Sequence, residues 1–218
     1  KAVLSILPLI GFKPDIIHCH DWQTGLIPVY LHDSFQSDPF FWGIKTIFTI
    51  HNLKFQGTWN VDTIKGFSGL SDYYFTSDKL EAYGNGNMLK GGLVYADRIT
   101  TVSRSYASEI RMPFYGEGLD GLLRARSKQL SGIVNGIDYN VYNPKTDKDI
   151  AVNYSVEDVI KAKAANKTAL QKELGLEENP DAFMLGIVSR LTDQKGLDLV
   201  DCVLDQICAE DVQLVVLG

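Results

Sequence analysis

Short β-branched and aromatic runs alternate with helix-like stretches along this chain. That alternation confines it to βαβ units around a parallel sheet, an α/β fold. The runs are Asp15-Ile16-Ile17-His18-Cys19 after Pro14, Lys45 to Ile50, Arg98-Ile99-Thr100-Thr101-Val102 and Ser131-Gly132-Ile133-Val134. A helix-like stretch from Trp22 to His32 follows the first run, and Ser103 is a natural N-cap for a helix after the third. Further on, Ser155 to Leu174 is rich in Ala, Lys and Glu and predicts a helix with Gly175 as its C-cap. Phe183 to Val188 and Val212 to Leu217 read as buried parallel strands joined by a helix from Gln194 to near Ala209. The opening stretch, Val3 to Phe12, is apolar but short and interrupted by Pro8, so it reads as a core helix rather than a signal peptide.

Between these two sets of strands, residues 141–154 are polar and weakly periodic, with Pro144 and alternating Lys and Asp, and read as a linker. Residues 1–140 then form one domain and 155–218 the first part of another. A length of 218 residues suits one to two domains at about 150 residues each. A βαβ piece with only two strands is not independently stable, so the second domain is expected to be cut short. The absence of methionine before Lys1 adds the expectation of a chain trimmed from a longer protein.

Composition narrows the partners. Hydrophobic residues make up 45% and charged ones 22%, as in an ordinary globular protein. The net charge is −6, from 21 basic against 27 acidic residues, with no basic cluster, which argues against nucleic acid or an anionic membrane as partner. Three cysteines without a CxxC pair argue against a disulfide framework or a zinc knuckle and suit a reducing cytoplasm. No apolar run approaches the ~18 residues of a membrane span.

Ligands of open parallel sheets bind outside the carboxyl ends of the strands. Four clusters fall there: His18 to Asp21, His51-Asn52, Asn135 to Asp138, and Ser189 to Gly196. In the last, Arg190 leaves a strand and Lys195 stands at a helix start, so guanidinium, ammonium and helix amides can converge on an anion. A solvated turn with two ordinary basic residues is the alternative. His18 and His20 share one face of a strand, and with His51 they allow either a metal site or a histidine hydrogen-bonded inside the core. Asp21 is either a helix N-cap or a ligand-facing carboxylate. Gly116 to Gly121 matches GxGxxG but follows a helix and a Met112-Pro113 break, the wrong context for a dinucleotide fingerprint. The run from Phe55 to Tyr83, rich in Gly, Ser, Asp and aromatics, reads as a long excursion on the ligand side of the sheet.

Five phrases in order give these clusters a family. Pro14-Asp15-Ile16-Ile17-His18-Cys19-His20-Asp21-Trp22, Thr49-Ile50-His51-Asn52-Leu53-Lys54-Phe55-Gln56-Gly57 and Tyr115 to Leu123 resemble bacterial glycogen synthase and plant starch synthase. So do Gly132 to Asp138 and Ser189 to Asp198, and the resemblance covers essentially the whole chain. It implies two Rossmann-like domains of the glycosyltransferase-B type, both incomplete here. It also implies transfer of glucose from ADP-glucose to the non-reducing end of an α-1,4-glucan, with retention, no metal and no other cofactor. By the resemblance, Arg190 and Lys195 hold the donor diphosphate, His51 contacts the transferred glucose, Asp21 lies beside the reaction centre and Asn135 reaches the sugar. His18 and His20 become mainly structural.

Retaining glycosidases bracket the bond with two carboxylates about 5 Å apart, and no such pair is evident here. The resemblance therefore favours a same-face substitution in which the departing phosphate helps deprotonate the acceptor. The family's lysine-and-double-glycine loop would precede Lys1, and its later glutamate and glycine-rich segment would follow Gly218. Because remote binding energy positions the sugar, the 218-residue chain alone is expected to be nearly inactive. Two other readings compete. One is a metal-dependent hydrolase using His18, His20 and His51. The other is a non-catalytic glucan-binding module in which aromatics of Phe67 to Tyr83 stack on sugar faces rather than packing under a loop.

Overall fold

A computed structural model describes all 218 residues, and the chain divides into two compact units, Lys1–Gly136 and Ile137–Gly218. The first unit contains α1 (Ala2–Leu9), β1 (Ile16–His20), α2 (Leu26–His32), β2 (Lys45–Ile50), β3 (Thr58–Trp59) and α3 (Val61–Ser68). It continues with β4 (Glu81–Ala82), β5 (Asn85–Asn87), α4 (Met88–Tyr95), β6 (Arg98–Thr101), α5 (Arg104–Glu109), α6 (Asp120–Ala125) and β7 (Leu130–Gly132). The second holds α7 (Val159–Glu173), β8 (Phe183–Val188), α8 (Leu197–Ala209) and β9 (Val212–Leu217).

The expected strands of the first unit form one parallel sheet in the order β1-β2-β6-β7. In it His20 lies opposite Thr49, and Thr49 opposite Thr100. Period-two alternation divides the side chains between the faces. Cys19, Phe48, Ile50 and Ile99 point one way and are fully buried against Leu89 and Leu93 of α4. His18, His20, Thr49 and Thr100 point the other way and form a polar face. Contact between α4 and the sheet requires glycine: a Cβ on Gly92 would sit 2.3 Å from the Phe48 ring. The end of α4 is closed by Arg126, whose guanidinium donates to the carbonyls of Leu93, Val94 and Ala96.

Residues 55–83, expected as a long excursion, are more ordered than that. They supply β3, α3 and β4, and the three-stranded antiparallel sheet β3-β5-β4 closes with the two-residue turn Tyr83–Gly84. Both turn residues have positive φ, +52° and +80°, as a twisted hairpin demands. Ile64, Leu70, Tyr74 and Leu80 pin this segment onto Leu26, Val29 and Tyr30 of α2. α1 contributes Leu4 and Leu7 to the same core, while Leu9 at its end is 84% exposed, so only one side of the expected core helix is buried.

Ser103 caps α5 as expected, accepting from the Tyr106 amide at 2.9 Å. Gly116 and Gly118 belong to the loop that opens α6, not to a strand–turn–helix fingerprint. In the second unit, β8 and β9 pair in parallel over their full length. α7 begins at Val159 rather than Ser155, because the Asp158 carboxylate accepts from the Ser155 amide and hydroxyl and holds a turn there. Gly175, at φ +66°, follows the helix as expected. The stretch 141–154 is tied to α7 through Asn166, whose amide bonds the Val152 backbone in both directions. Between α7 and the two strands lies a cavity of about 940 Å³ lined by Leu170, Leu174, Phe183, Met184 and Val215.

Candidate active site

Two of the sequence-derived site residues, Asp21 and His51, meet at the carboxyl end of the four-stranded sheet. β1 ends at His20 and β2 at Ile50, so the residues that follow emerge side by side at the sheet's carboxyl edge. The Asp21 amide donates to the Thr49 carbonyl at 3.0 Å, extending the strand pairing by one residue. Its backbone then turns sharply, with φ +52° and ψ −175°, a combination L side chains enter at a cost. This aims the carboxylate at the neighbouring loop: Asp21 Oδ1 accepts from the His51 amide at 2.8 Å and the Asn52 amide at 3.3 Å. The expected alternative, an N-cap, does not form: Asp21 precedes the 3-10 turn Trp22–Thr24, and its side chain makes no cap hydrogen bond.

On the polar face the three histidines follow one another. His18 Nε2 and Thr49 Oγ1 are 2.6 Å apart, and Thr49 Oγ1 meets Thr100 Oγ1 at 2.6 Å. The His18 and His20 rings stack with centroids 4.2 Å apart, and His20 Nδ1 lies 3.0 Å from His51 Nε2. Burial, then the neighbouring His20 and His51, hold the His18 pKa below its ordinary value. The three rings do not converge as ligands, since His18 is turned to Thr49 while His20 and His51 face each other. No group of three His, Cys, Asp or Glu side chains in the structure is arranged to hold a metal ion.

Loops around this edge are fixed by side chains that the sequence did not single out. Tyr106 from α5 presents its hydroxyl to the Leu53 amide at 3.3 Å. Gln56 donates to the Leu53 and Glu117 carbonyls and accepts from Asn87, which also caps α4. Phe55 and Trp59 stand exposed beside Trp22, around a groove of about 380 Å³. The aromatics between Phe67 and Tyr83 divide: Tyr74 is buried in the core, whereas Tyr73 lies under the Lys79 ammonium and Tyr83 is held by a bond from its hydroxyl to the Gly118 carbonyl.

Asn135 follows β7, exposed, at the same carboxyl edge of the sheet. Arg190 and Lys195 belong to the second unit. β8 ends two residues before Arg190, the Ser189 amide completes the pairing with the Leu217 carbonyl, and Lys195 closes the 3-10 turn Asp193–Lys195. Gly196, at φ +69°, then opens α8. Both basic side chains are exposed and outside the four ion pairs of the structure.

The first unit is thus a parallel α/β sheet whose strand ends carry a histidine loop held by a carboxylate. The starch synthase catalytic domain family matches residues 1–125, and the chain belongs to that family. It is 67% identical over all 218 residues to a glycogen synthase of Lachnospira eligens and 64% identical to one of Lachnoclostridium phytofermentans. In each case it spans 46% of the relative's length. The catalytic domain of starch synthase IV from Arabidopsis thaliana, bound to ADP and acarbose, superposes with a TM-score of 0.89 at 34% identity, covering 100% of this chain and 45% of that one. No helix of the structure is long and apolar enough to cross a membrane.

Proposed function

We propose that this chain carries part of the machinery of a retaining glucosyltransferase that elongates an α-1,4-glucan from ADP-glucose. The proposed architecture is of the glycosyltransferase-B type, with two Rossmann-like domains to which the two units belong. The observation that carries the reading is the clamp at the carboxyl edge, Asp21 on the His51 and Asn52 amides, inside the segment that matches the family. The relatives' shared glycogen synthase name and the ADP and acarbose of the Arabidopsis neighbour support the substrates.

In this reaction the bond from the anomeric carbon to the ADP oxygen breaks, and a bond to the acceptor hydroxyl forms on the same face. The hydroxyl proton passes to the departing phosphate. Negative charge grows on the diphosphate, and Arg190 and Lys195 stabilise it there, as preorganised cations do best. His51 contacts the transferred glucose, and Asn135 reaches the same sugar. Asp21 positions the His51 loop through its amides rather than acting as an acid or base. No metal or other cofactor enters the scheme.

The relatives are more than twice as long as this chain, and the activity is assigned to a polypeptide of their full length. Radiometric transfer from ADP-glucose to glycogen by that polypeptide is the test. Removing the guanidinium with Arg190→Ala is expected to lower kcat by about 100-fold, the effect of losing one charge-stabilising donor. Unchanged transfer by the Arg190→Ala variant, or transfer abolished by a metal chelator, would contradict the scheme. Glucan binding without any transfer would instead favour the binding-module reading.

A further inference from the structure

We infer that His20 is a positioning residue for His51, fixing the orientation and tautomer of that imidazole. The inference rests on the reading above, in which His51 meets the transferred sugar. Two different holds act on His51. Asp21 holds its backbone through the amide, and that bond leaves the ring free to rotate. The ring itself is held from the other side, by the 3.0 Å contact of its Nε2 with His20 Nδ1. A hydrogen bond of that length between two imidazole nitrogens contains one N–H, so one ring donates and the other accepts. The tautomer of His51 is thereby coupled to that of His20, and Nδ1 is the ring nitrogen left to face a ligand.

His20 is itself built to stay in place. Its amide donates to Thr24 Oγ1 at 2.7 Å, and the same hydroxyl meets the His20 carbonyl at 2.8 Å. Its ring lies against His18, which Thr49 and Thr100 anchor in turn. Yet His20 is solvent-exposed and contributes nothing to either hydrophobic cluster, so packing gives no reason for an imidazole there. Orientation of His51 supplies one.

The test uses a synthase of the relatives' full length carrying His20→Ala, His20→Asn, His20→Gln and His51→Ala. Each is assayed for kcat and for KM of ADP-glucose and glucan, with thermal unfolding alongside. Losing one neutral hydrogen bond that matters in the transition state lowers kcat about 3- to 10-fold. His20→Ala is expected to show that loss with both KM values within about twofold, and with an unchanged melting temperature, since no burial is lost. An asparagine amide reaches the place of Nδ1, whereas a glutamine amide reaches that of Nε2. His20→Asn should therefore recover most of the rate and His20→Gln should not. In the double variant, His20→Ala should add nothing to His51→Ala. A normal kcat in His20→Ala beside a defective His51→Ala overturns the inference alone. So does a kcat that falls only in proportion to lost folded protein, or equal rescue by Asn and Gln. A fully active His51→Ala overturns the reading of His51 itself, and the inference with it.

Discussion

Replacing Asp21 separates stability from positioning, because one residue holds both a strained backbone and a clamp. Its φ of +52° with ψ −175° costs about 1–3 kcal/mol for a side chain other than glycine. Against this stand the bonds to the His51 amide at 2.8 Å and the Asn52 amide at 3.3 Å. The first is charge-assisted but exposed and the second is part-buried but long, so together they are worth about 2 kcal/mol. Asp21→Ala loses the bonds and keeps the strain, a loss of about 2 kcal/mol. Asp21→Gly loses the bonds but relieves the strain, less about 0.5–1 kcal/mol for the added freedom of the unfolded chain, and ends about 1 kcal/mol below the wild type. Asp21→Asn retains an acceptor and should fall between. All three tryptophans, Trp22, Trp42 and Trp59, lie in the first unit, so urea unfolding followed by tryptophan fluorescence reports on that unit alone. In a synthase of the relatives' full length, both the Ala and Gly variants should lose transfer activity, since neither can hold the His51 loop. If Asp21→Gly proves less stable than Asp21→Ala, the strain argument is wrong. If Asp21→Ala matches the wild type in stability and rate, the clamp is not there.

Other consequences follow from the packing. Gly92→Ala would gain about 1 kcal/mol of helix propensity, but its Cβ meets the fully buried Phe48 ring at 2.3 Å, and a net loss of about 2 kcal/mol is expected by urea titration. A gain in stability would show that α4 can move off the sheet. Burial pushes the Cys19 thiol up to about 11, so a colourimetric thiol titration of the folded protein should count Cys202 and Cys208 quickly and Cys19 only after denaturant. Three fast thiols would contradict the packed core around it. The lowered pKa of His18 means the folded state takes up its proton less readily than the unfolded one. Stability is therefore lost as pH falls below about 6.5, and His18→Gln should weaken that dependence of the urea midpoint. A His18→Gln variant with the same pH dependence would place the effect on other groups.

Much of the framework was legible because strands of a parallel sheet buried on one face declare themselves as β-branched runs. The four strands of the sheet and both strands of the second unit stand within a residue or two of the expected positions. What escaped has physical reasons. β3, β4 and β5 are two or three residues long, too short for alternation to show. α4 contains Gly91 and Gly92, poor helix formers that are present because Leu80, Val29 and Phe48 approach too closely for a side chain. That Asp21 and His51 stand at the carboxyl edge of the sheet followed from their place past strand ends. Their bond did not, because it depends on the register that sets His20 against Thr49 and on a positive φ no sequence pattern announces. The contact of His20 with His51 was hidden for the same reason, and two histidines two residues apart suggested a metal instead.

The central claim is glucosyl transfer at this edge, and product analysis tests it most directly. A synthase of the relatives' full length carrying this sequence is incubated with ADP-glucose and a maltooligosaccharide, and proton NMR follows the anomeric signals. The account predicts one ADP released for each new α-1,4 linkage at the non-reducing end, and loss of both with His51→Ala. Free glucose as the product, a β-linkage, or undiminished transfer by His51→Ala would contradict it.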